Sequence, residues 1–134
     1  MIYGLGIDLI EIGRIKSELL RSGDRFCEKV FTEKEIDYCK RGPNLDVQSR
    51  CFAGRFTAKE AFFKAIGTGL RNGLRWKDVE VLHDNLGKPV FALKDKALET
   101  IKKEKISSIQ LSISHGKNVA TAVVILEKPE NLKL

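Results

Sequence analysis

The spacing of apolar and polar residues predicts a strand at the start of the chain. Over residues 2–12, apolar side chains alternate with small or acidic ones. The apolar set is Tyr3, Leu5, Ile7 and Leu9, and the set between them contains Gly4, Gly6 and Asp8. A period of two is typical of a strand, so we expect the apolar set to pack on the core and the other face to be free of bulky side chains.

Helical spacing then predicts three helices. The first covers residues 13–25. Thr32 and Glu35 have the spacing of a capping box, which predicts a short second helix directly after Thr32. A long third helix is predicted from Asp46, as its N-cap, to Gly67, where the glycine ends it.

The second half of the chain predicts two hairpins separated by a helix of about ten residues that Asp95 caps. The hairpin strands are residues 79–83 with 90–93, and residues 108–115 with 119–126. Pro129 and the residues after it are expected to form a frayed tail. Because the strands follow one another through hairpins, we predict an α+β fold, a single domain over residues 1–134 with a largely antiparallel sheet packed with helices.

Composition and charge narrow the class of protein. The chain has 134 residues, 43% of them hydrophobic and 31% charged, an ordinary mixture for one globular domain. No apolar run approaches the ~18 residues that a membrane span needs, and the N-terminus has no basic leader with a cleavage site. We therefore expect a cytoplasmic protein with no membrane partner. The net charge of +6 favours an anionic partner, although a modest excess also serves solubility alone.

The cysteines do not form a recognisable motif. Cys39 follows Cys27, and Cys51 follows Cys39, by twelve residues each time, and no C-x-x-C pair is present. An odd number at this spacing disfavours a disulfide framework or a zinc site. We expect reduced, partly buried thiols.

Glu60 occupies an unusual position in the predicted long helix. Helical spacing places it beside Phe56 and Phe63, with Lys64 one turn further on. Taken alone, Glu60 and Lys64 are a common i,i+4 ion pair at the edge of a core helix. The helix by itself therefore does not indicate a functional site.

Asp8 changes that balance, because a carboxylate in the middle of a strand is unfavourable. Gly4 and Gly6 share its face, and strand glycines are often found where a ligand or another backbone comes close. One interpretation is that Asp8 sits at a frayed strand end and caps the next turn. The other is that Asp8 and Glu60 meet across the strand–helix interface and share a divalent metal ion.

Two carboxylates without a nearby His or Cys suit Mg²⁺, which keeps water and binds one or two carboxylates together with substrate phosphates. In that interpretation Lys59 and Lys64 face the same phosphates, and the N–H groups of residues 67–69 approach them. This glycine-rich turn is not a Walker A loop, since it follows a helix and lacks the G-K-[ST] ending.

The stretch SISH, residues 112–115, combines serine and histidine. Adjacent residues of one strand point to opposite faces, and no acid partner is evident, so we set a hydrolase aside. His115 is either a surface histidine of a turn or a donor to a phosphate or hydroxyl.

Three motifs together resemble a known family. The stretches GIDLIEIGR (residues 6–14), GRFTAKEAFFKAIGTG (54–69) and SISH (112–115) resemble the motifs of the holo-acyl-carrier-protein synthases, a branch of the 4′-phosphopantetheinyl transferases. The first resembles G-[IL]-D-x-x-x-x-x-R and the second contains F-x-x-K-E-A-x-x-K-A. They occur in family order and at matching intervals over nearly the whole chain.

The resemblance implies an activity and an assembly. Members transfer the 4′-phosphopantetheine arm from coenzyme A to a serine of apo acyl carrier protein, release adenosine 3′,5′-bisphosphate and need Mg²⁺. The process served is fatty acid biosynthesis. The implied fold is the α+β 4′-phosphopantetheinyl transferase fold, and the implied assembly is a homotrimer with the coenzyme A site between neighbouring subunits.

The resemblance also implies roles for single residues. Asp8 and Glu60 correspond to the metal-binding acids, and Lys64 to the lysine that meets the pyrophosphate and assists the leaving group. Either Glu60 or a metal-bound water takes the serine proton. Residues at coenzyme A-binding positions are Arg55, Lys59, Lys64, Gly67, Thr68 and His115. Where members often have Asp directly after the histidine, this chain has Gly116.

Arg14, Arg21 and Arg25 are predicted to share one side of the first helix, and the resemblance implies that this side meets the acidic carrier protein. Glu18 interrupts the stripe, and a solvated charged face is the alternative. The rival function is a small basic nucleic-acid-binding domain, with Trp76 and phenylalanines stacking on bases. No RNP, KH or helix-turn-helix signature supports it, so we expect no nucleic-acid partner.

Overall fold

The computed structural model describes residues 1–71 and 73–130. These residues form five strands and four α-helices, joined by turns and loops. In chain order they are β1 (Ile2–Glu11), α1 (Ile12–Val30), α2 (Glu33–Lys40), α3 (Leu45–Ile66), β2 (Val79–His83), β3 (Pro89–Leu93), α4 (Asp95–Lys103), β4 (Ser108–His115) and β5 (Val119–Glu127). A 3-10 turn over Trp76–Asp78 precedes β2. The predicted order of elements is confirmed. The end of the predicted tail, residues 131–134, lies outside the described residues.

Every strand pair in the described part of the chain is antiparallel. β1, β5 and β4 form a three-stranded sheet in that order, and β2 pairs with β3 in a separate hairpin. The first strand thus pairs with the last, and α3 packs across the three-stranded sheet. The predicted α+β fold with antiparallel pairing is confirmed.

α3 lies so close to β1 that only glycine fits at the contact. A Cβ atom on Gly4 would lie 2.0 Å from the carbonyl oxygen of Ala65, and one on Gly6 would lie 1.9 Å from that of Ala61. Because these neighbours are main-chain atoms of a helix, a side chain here would push α3 off the sheet. The glycines therefore serve the close approach of another backbone, and this approach brings Asp8, on the same face of β1, against α3.

The predicted packing of the apolar face of β1 is wrong within the single chain. Leu5, Ile7 and Leu9 are exposed by 62%, 62% and 65%. The glycine face is the one that covers α3, so the alternating apolar side chains point away from the core. Tyr3 alone of this set packs on the core, where the pairing register of β1 shifts.

Buried side chains surround α3 on several sides. Phe31 and Phe52 belong to one cluster, with α1 and α2, while Phe62, Val79 and Leu126 belong to a second, with the two sheets and α4. None of the helices within the described residues combines the length and the apolar character needed to cross a membrane.

Helix ends differ from the prediction at two caps. The Thr32 capping box is present as predicted. The N-cap of α3 is Asn44, whose side chain accepts from the N–H of Val47, and not Asp46. Asp95 is the first residue of α4 and not its cap. The actual N-caps, Asn44 and Lys94, lie one or two residues before the predicted ones. The spacing of apolar residues does not fix the end of a helix more closely than that.

The prediction of three reduced thiols is wrong for two of them. Cys39 on α2 and Cys51 on α3 form a disulfide, with Cα atoms 5.4 Å apart, and Cys27 is a buried free thiol. The turn at Gly42 and Pro43 folds α2 back along α3, and this return brings the two sulfurs together. The spacing in sequence does not show how a turn folds, so it gave no sign of the pair.

Candidate active site

The side chain of Asp8 lies between β1 and α3. Its Oδ2 accepts a hydrogen bond of 3.1 Å from the Thr57 hydroxyl, and its Oδ1 accepts one of 3.0 Å from Lys64 Nζ. Thr121 Oγ1, on β5, donates to the main-chain oxygen of Asp8 at 2.7 Å. Asp8 is paired with Ala122 well inside the strand, so the interpretation of a frayed end that caps a turn is wrong.

Glu60 is half-buried on α3 and lies close enough to Asp8 for the two charges to interact. Burial raises the pKa of the Glu60 carboxyl, the charge of Asp8 raises it further, and the Lys64 ammonium lowers it. The structure thus brings the two predicted acids together. A carboxyl whose pKa is raised by burial and by a second acid is typical of functional sites.

Lys64 lies at the open side of these acids. Its Nζ donates to Asp8 Oδ1 and, at 3.1 Å, to the main-chain oxygen of Ile7. The side chain is 55% exposed. An ammonium has three N–H donors, so these two hydrogen bonds, the ones it makes to described residues, leave one for a ligand.

The donor set fits Mg²⁺. Within the described residues, no group of three or more His, Cys, Asp or Glu side chains is gathered, so Asp8 and Glu60 are two acids without a third. Mg²⁺ is commonly held by one or two carboxylates and completes its shell with water and substrate phosphate oxygens. The repulsion that raises the pKa of Glu60 is what a divalent cation between the acids would relieve.

Lys59 differs from Lys64 in being completely buried. Its Nζ donates to Glu35 Oε1 at 2.7 Å, to the main-chain oxygen of Val30 at 2.8 Å and to that of Trp76 at 3.1 Å. All three donors are used inside the protein. The implied contact of Lys59 with coenzyme A conflicts with this burial, and the structure gives Lys59 a role in holding α3 to its neighbours.

A basic cavity of about 610 Å³ opens beside the first half of α3. Its walls come from α2, the following turn, α3, β2, the start of β3 and the end of β4. The side chains that can meet an anion or an aromatic ring there are Tyr38, Arg41, Arg50, Arg55, His83 and His115. His115 therefore faces a cavity, as a donor to a ligand would, and not only a surface turn.

Arg55 is the buried cation of this cavity. Its guanidinium lies 4.5 Å from the centre of the Tyr38 ring, and Nη1 donates to Cys51 Sγ at 3.2 Å. Nη2 lies 3.5 Å from His83 Nδ1, and Nε has no partner among the described residues. Burial lowers the pKa of Arg55, yet a guanidinium stays charged at neutral pH. A buried cation without a bonded carboxylate suits an anionic ligand.

The turn after α3 holds the other two predicted residues. Gly67 has a φ of 94°, which favours glycine, and its N–H caps the helix by donating to the carbonyl of Phe63 at 3.0 Å. That N–H is therefore not free for a phosphate. Thr68 is half-buried directly after it. Their predicted contacts with coenzyme A stay predictions.

The three arginines predicted to meet a carrier protein are all exposed. They do not form one straight stripe, because α1 is kinked at Ser22, which separates Arg14 and Arg21 from Arg25. Arg21 also forms an ion pair with Glu18. Among the described residues, Arg14 and Arg25 form no ion pair, so their charges are the unopposed ones of this surface.

The rival nucleic-acid function loses its aromatic support. Trp76 stacks on Phe56 with ring centres 5.1 Å apart and meets Phe63 edge-on at 5.5 Å. These rings belong to the core of the molecule. They are not a stacking platform for bases.

Several residues of the site were not foreseen in the sequence. Thr57 orients Asp8, and Tyr38, Arg41, Arg50 and His83 line the cavity. Thr57 has a signal that could have been used, since it lies three residues before Glu60 and on the same side of the helix. The cavity residues come from four separate elements and carry no shared spacing.

Comparison with known proteins shows which family this chain resembles. Residues 4–124 match the model of the 4′-phosphopantetheinyl transferase superfamily. A holo-[acyl-carrier-protein] synthase of Clostridium tetani is 49% identical over 95% of this chain and 97% of its own length. The crystal structure of a holo-(acyl-carrier-protein) synthase from Bacillus anthracis, in complex with CoA (3′,5′-ADP), has a TM-score of 0.78 at 38% identity and covers 96% of this chain and 99% of that one. That of Helicobacter pylori, in complex with coenzyme A, has a TM-score of 0.79 at 31% identity, over 92% and 99%.

Proposed function

The chain belongs to the 4′-phosphopantetheinyl transferase superfamily, in its holo-[acyl-carrier-protein] synthase branch, and we propose that it transfers 4′-phosphopantetheine from coenzyme A to a serine of apo acyl carrier protein. The proposed products are holo-acyl carrier protein and adenosine 3′,5′-bisphosphate, and the proposed cofactor is Mg²⁺. One observation carries the proposal: Asp8 of β1 lies beside Glu60 and Lys64 of α3. The same helix also carries the buried Arg55.

Asp8 and Glu60 would hold the metal ion. When bound, Mg²⁺ neutralises the diphosphate of coenzyme A and the negative charge that develops there during transfer. Thr57 fixes the Asp8 carboxylate by its hydrogen bond to Oδ2, so that the carboxylate keeps one orientation. The acids are held by a strand and a helix, which position ligands more accurately than loops do.

Lys64 and Glu60 are the residues proposed to act on the reacting groups. Lys64 directs its remaining N–H to a phosphate oxygen and stabilises the charge of the leaving bisphosphate. Glu60 is proposed to take the proton of the serine hydroxyl, directly or through a water molecule.

The basic cavity is proposed to receive the adenosine bisphosphate part of coenzyme A. Arg55 supplies a buried charge for a phosphate, and His115 and Arg50 add donors at the rim. Thr68, after the end of α3, is proposed as a further contact. Gly67 contributes the tight turn, and Lys59 contributes only through the position of α3.

The carrier protein is proposed to dock on α1. Arg14 is exposed on the first turn of α1, directly after the strand that carries Asp8, so a partner that contacts it lies close to the acids. Carrier proteins present acidic helices, which suit this charge. Arg21 extends the same surface up to the kink, and Arg25 lies beyond it.

A homotrimer is proposed as the working assembly. Leu5, Ile7 and Leu9 form an exposed apolar face on β1 that no part of the chain within residues 1–71 and 73–130 covers. A contiguous apolar strand face of this kind is typical of a subunit contact. We also keep the cytoplasm as the proposed location, since the reaction serves fatty acid biosynthesis from coenzyme A.

The test is a transfer assay followed by intact mass. The purified protein is mixed with apo acyl carrier protein, coenzyme A and Mg²⁺, and the carrier is expected to gain one phosphopantetheine. The gain should be lost with a chelator and in Glu60→Ala, and kept in Glu99→Ala, which removes an exposed glutamate of α4. A folded protein that modifies no carrier, or a Glu60→Ala variant with full activity, would contradict the proposal.

A further inference from the structure

The disulfide between Cys39 and Cys51 lies in the wall of the basic cavity. Cys39 is at the end of α2 and is 1% exposed, while Cys51 is half-buried on α3, and both line the cavity. The bond is therefore not remote from the proposed ligand. It is also the covalent link between the two helices that supply most of the cavity wall.

The bond connects residues that would bind one ligand. α2 carries Tyr38, whose ring lies under the Arg55 guanidinium, and Arg41 directly follows α2. α3 carries Arg55, whose Nη1 donates to Cys51 Sγ. The sulfur of the disulfide is thus a direct hydrogen-bond partner of the buried cation. Apart from this bond, the Gln48 amide ties the turn between the helices through the carbonyl of Gly42, at 3.0 Å.

We propose that Cys39 and Cys51 are a thiol–disulfide exchange site, and that their redox state sets the affinity of the basic cavity for its nucleotide ligand. The inference rests on the proposed function, since that function supplies the ligand. The oxidised form holds α2 against α3 and keeps the cavity wall in place before the ligand arrives. The reduced form loses this link, and part of the binding free energy is then used to order the wall.

The exchange is chemically complete with a small thiol as the reductant. A thiolate attacks Cys51 Sγ from the cavity side, because Cys39 is covered, and the Cys39 sulfur leaves as a thiolate that takes a proton. A second thiol then attacks the mixed disulfide and releases Cys51. In sum, two thiols and the protein disulfide give one small-molecule disulfide and two protein thiols, with two electrons and two protons transferred to the protein.

Reduction also changes what faces Arg55. In the disulfide, Cys51 Sγ is a neutral acceptor for the guanidinium. When the Cys51 thiol of the reduced protein releases its proton to solvent, the thiolate pairs with the neighbouring guanidinium and competes with a phosphate for that cation. Both effects weaken anion binding in the reduced protein. Because the Gln48 amide still ties the turn, we expect a change in affinity and not unfolding.

The experiment compares both redox forms with a ligand that contains no thiol. Adenosine 3′,5′-bisphosphate is titrated by calorimetry into protein oxidised with glutathione disulfide and into protein reduced with dithiothreitol. Alkylation under denaturing conditions followed by intact mass counts the free thiols, with only Cys27 expected in the oxidised form. We expect the reduced form to bind about fivefold more weakly. The double variant Cys39→Ser, Cys51→Ser should bind weakly under both conditions, and Cys27→Ala should keep the redox difference.

Each outcome decides the matter. A weaker reduced form, together with the loss of that difference in the double variant, supports the site. Equal or tighter binding by the reduced form, at the expected thiol counts, overturns it and leaves the transferase proposal intact. A native chain in which glutathione disulfide forms no Cys39–Cys51 bond also overturns it. If neither form binds the nucleotide, the coenzyme A cavity itself is wrong, and both proposals fail together.

Discussion

Two lysines of α3, five residues apart, each meet a carboxylate, and they differ in every other respect. Lys59 pairs with Glu35 in the interior, where both side chains are 0% exposed. Lys64 pairs with Asp8 at the surface of the sheet–helix contact, where the exposed fractions are 55% and 17%. The same two chemical groups are thus placed in a closed and in an open environment on one helix.

The closed pair is complete. Lys59 uses its three donors, and Glu35 accepts from the N–H groups of Thr32 and Val81, both at 2.9 Å, in addition to the ammonium. The pair joins α1, α2, α3, the 3-10 turn and β2. A network in which each member has its partners rigidifies the core and leaves nothing for a ligand.

The open pair is incomplete. Lys64 retains a donor, Asp8 is shared between two hydrogen bonds, and Glu60 stands nearby with its charge disfavoured by burial and by Asp8. Such an arrangement gains stability only when something else binds. The comparison therefore distinguishes a lysine that holds the fold from the lysine that is proposed to serve the reaction, although both belong to the same sequence motif.

The largest effect that we expect from changing either lysine is a loss of unfolding free energy in Lys59→Met. Removing the ammonium leaves the buried Glu35 carboxylate without its bonded counter-charge, which costs about 3–5 kcal/mol of unfolding free energy. The matched change Lys64→Met affects a screened pair and should cost about 1 kcal/mol or less. Urea denaturation with linear extrapolation measures both values.

A second variant identifies the cause in the Lys59 experiment. Glu35→Gln combined with Lys59→Met removes both charges while an amide oxygen remains to accept from the main chain. This double variant should be more stable than Lys59→Met alone. Equal losses for Lys59→Met and Lys64→Met would show that burial does not distinguish the two pairs.

The second effect concerns the rate of transfer, for which we expect Lys64 to matter more than Lys59. Lys64→Met should lower the turnover number of the transferase by about 100-fold, the range found when one donor to a developing charge is removed. Its fold should be unchanged, as judged by circular dichroism, and its unfolding free energy should fall by no more than about 1 kcal/mol. Lys64→Arg, which keeps the charge, should recover part of the rate. A Lys64→Met enzyme with normal turnover would remove Lys64 from the reaction.

The sequence allowed the elements and the acids of the site to be predicted, because both depend on local spacing. Capping of α2, the hairpins and the antiparallel order follow from residues close together in the chain. Asp8 and Glu60 were identified because a mid-strand acid and an acid between phenylalanines each violate a local preference. The hypothesis that the two acids share a metal ion across the strand–helix interface came from these residues, and the family resemblance then implied the same roles.

The remaining features depend on how elements pack, which spacing does not encode. The alternation of β1 showed two faces, but not that the glycine face is the buried one, which requires knowing how closely α3 approaches. Lys59 and Lys64 look equivalent in the motif. Their environments differ because α2 folds back along α3 and places Glu35 beside Lys59. The Cys39–Cys51 pair depends on the same return.

The smallest expected effect is a gain in stability when Glu60 is changed to Gln. The pKa of the Glu60 carboxyl is raised in the folded protein above its ordinary value of 4.5, so the ionised form is disfavoured by folding. At pH values below 4.5 the carboxyl is protonated in both states and costs nothing. As the pH rises through the raised pKa, the native protein loses stability that Glu60→Gln keeps.

Glu60→Gln should therefore melt a few degrees higher than the native chain at pH 7.5 without metal, where about 3–5 °C corresponds to 1 kcal/mol for a domain of this size. The difference should shrink toward zero near pH 4. Added Mg²⁺ should raise the melting temperature of the native chain and not that of the variant, because only the ionised carboxylate would bind it. A variant that melts lower at pH 7.5 would mean that Glu60 has a stabilising partner in the metal-free protein. It would contradict the view that Asp8, Glu60 and Lys64 form a cluster that a bound ligand completes. A gain in stability combined with a loss of transfer would instead show that the Glu60 carboxylate destabilises the fold and is needed for the reaction. Lys59 would then be its opposite, since it stabilises the fold.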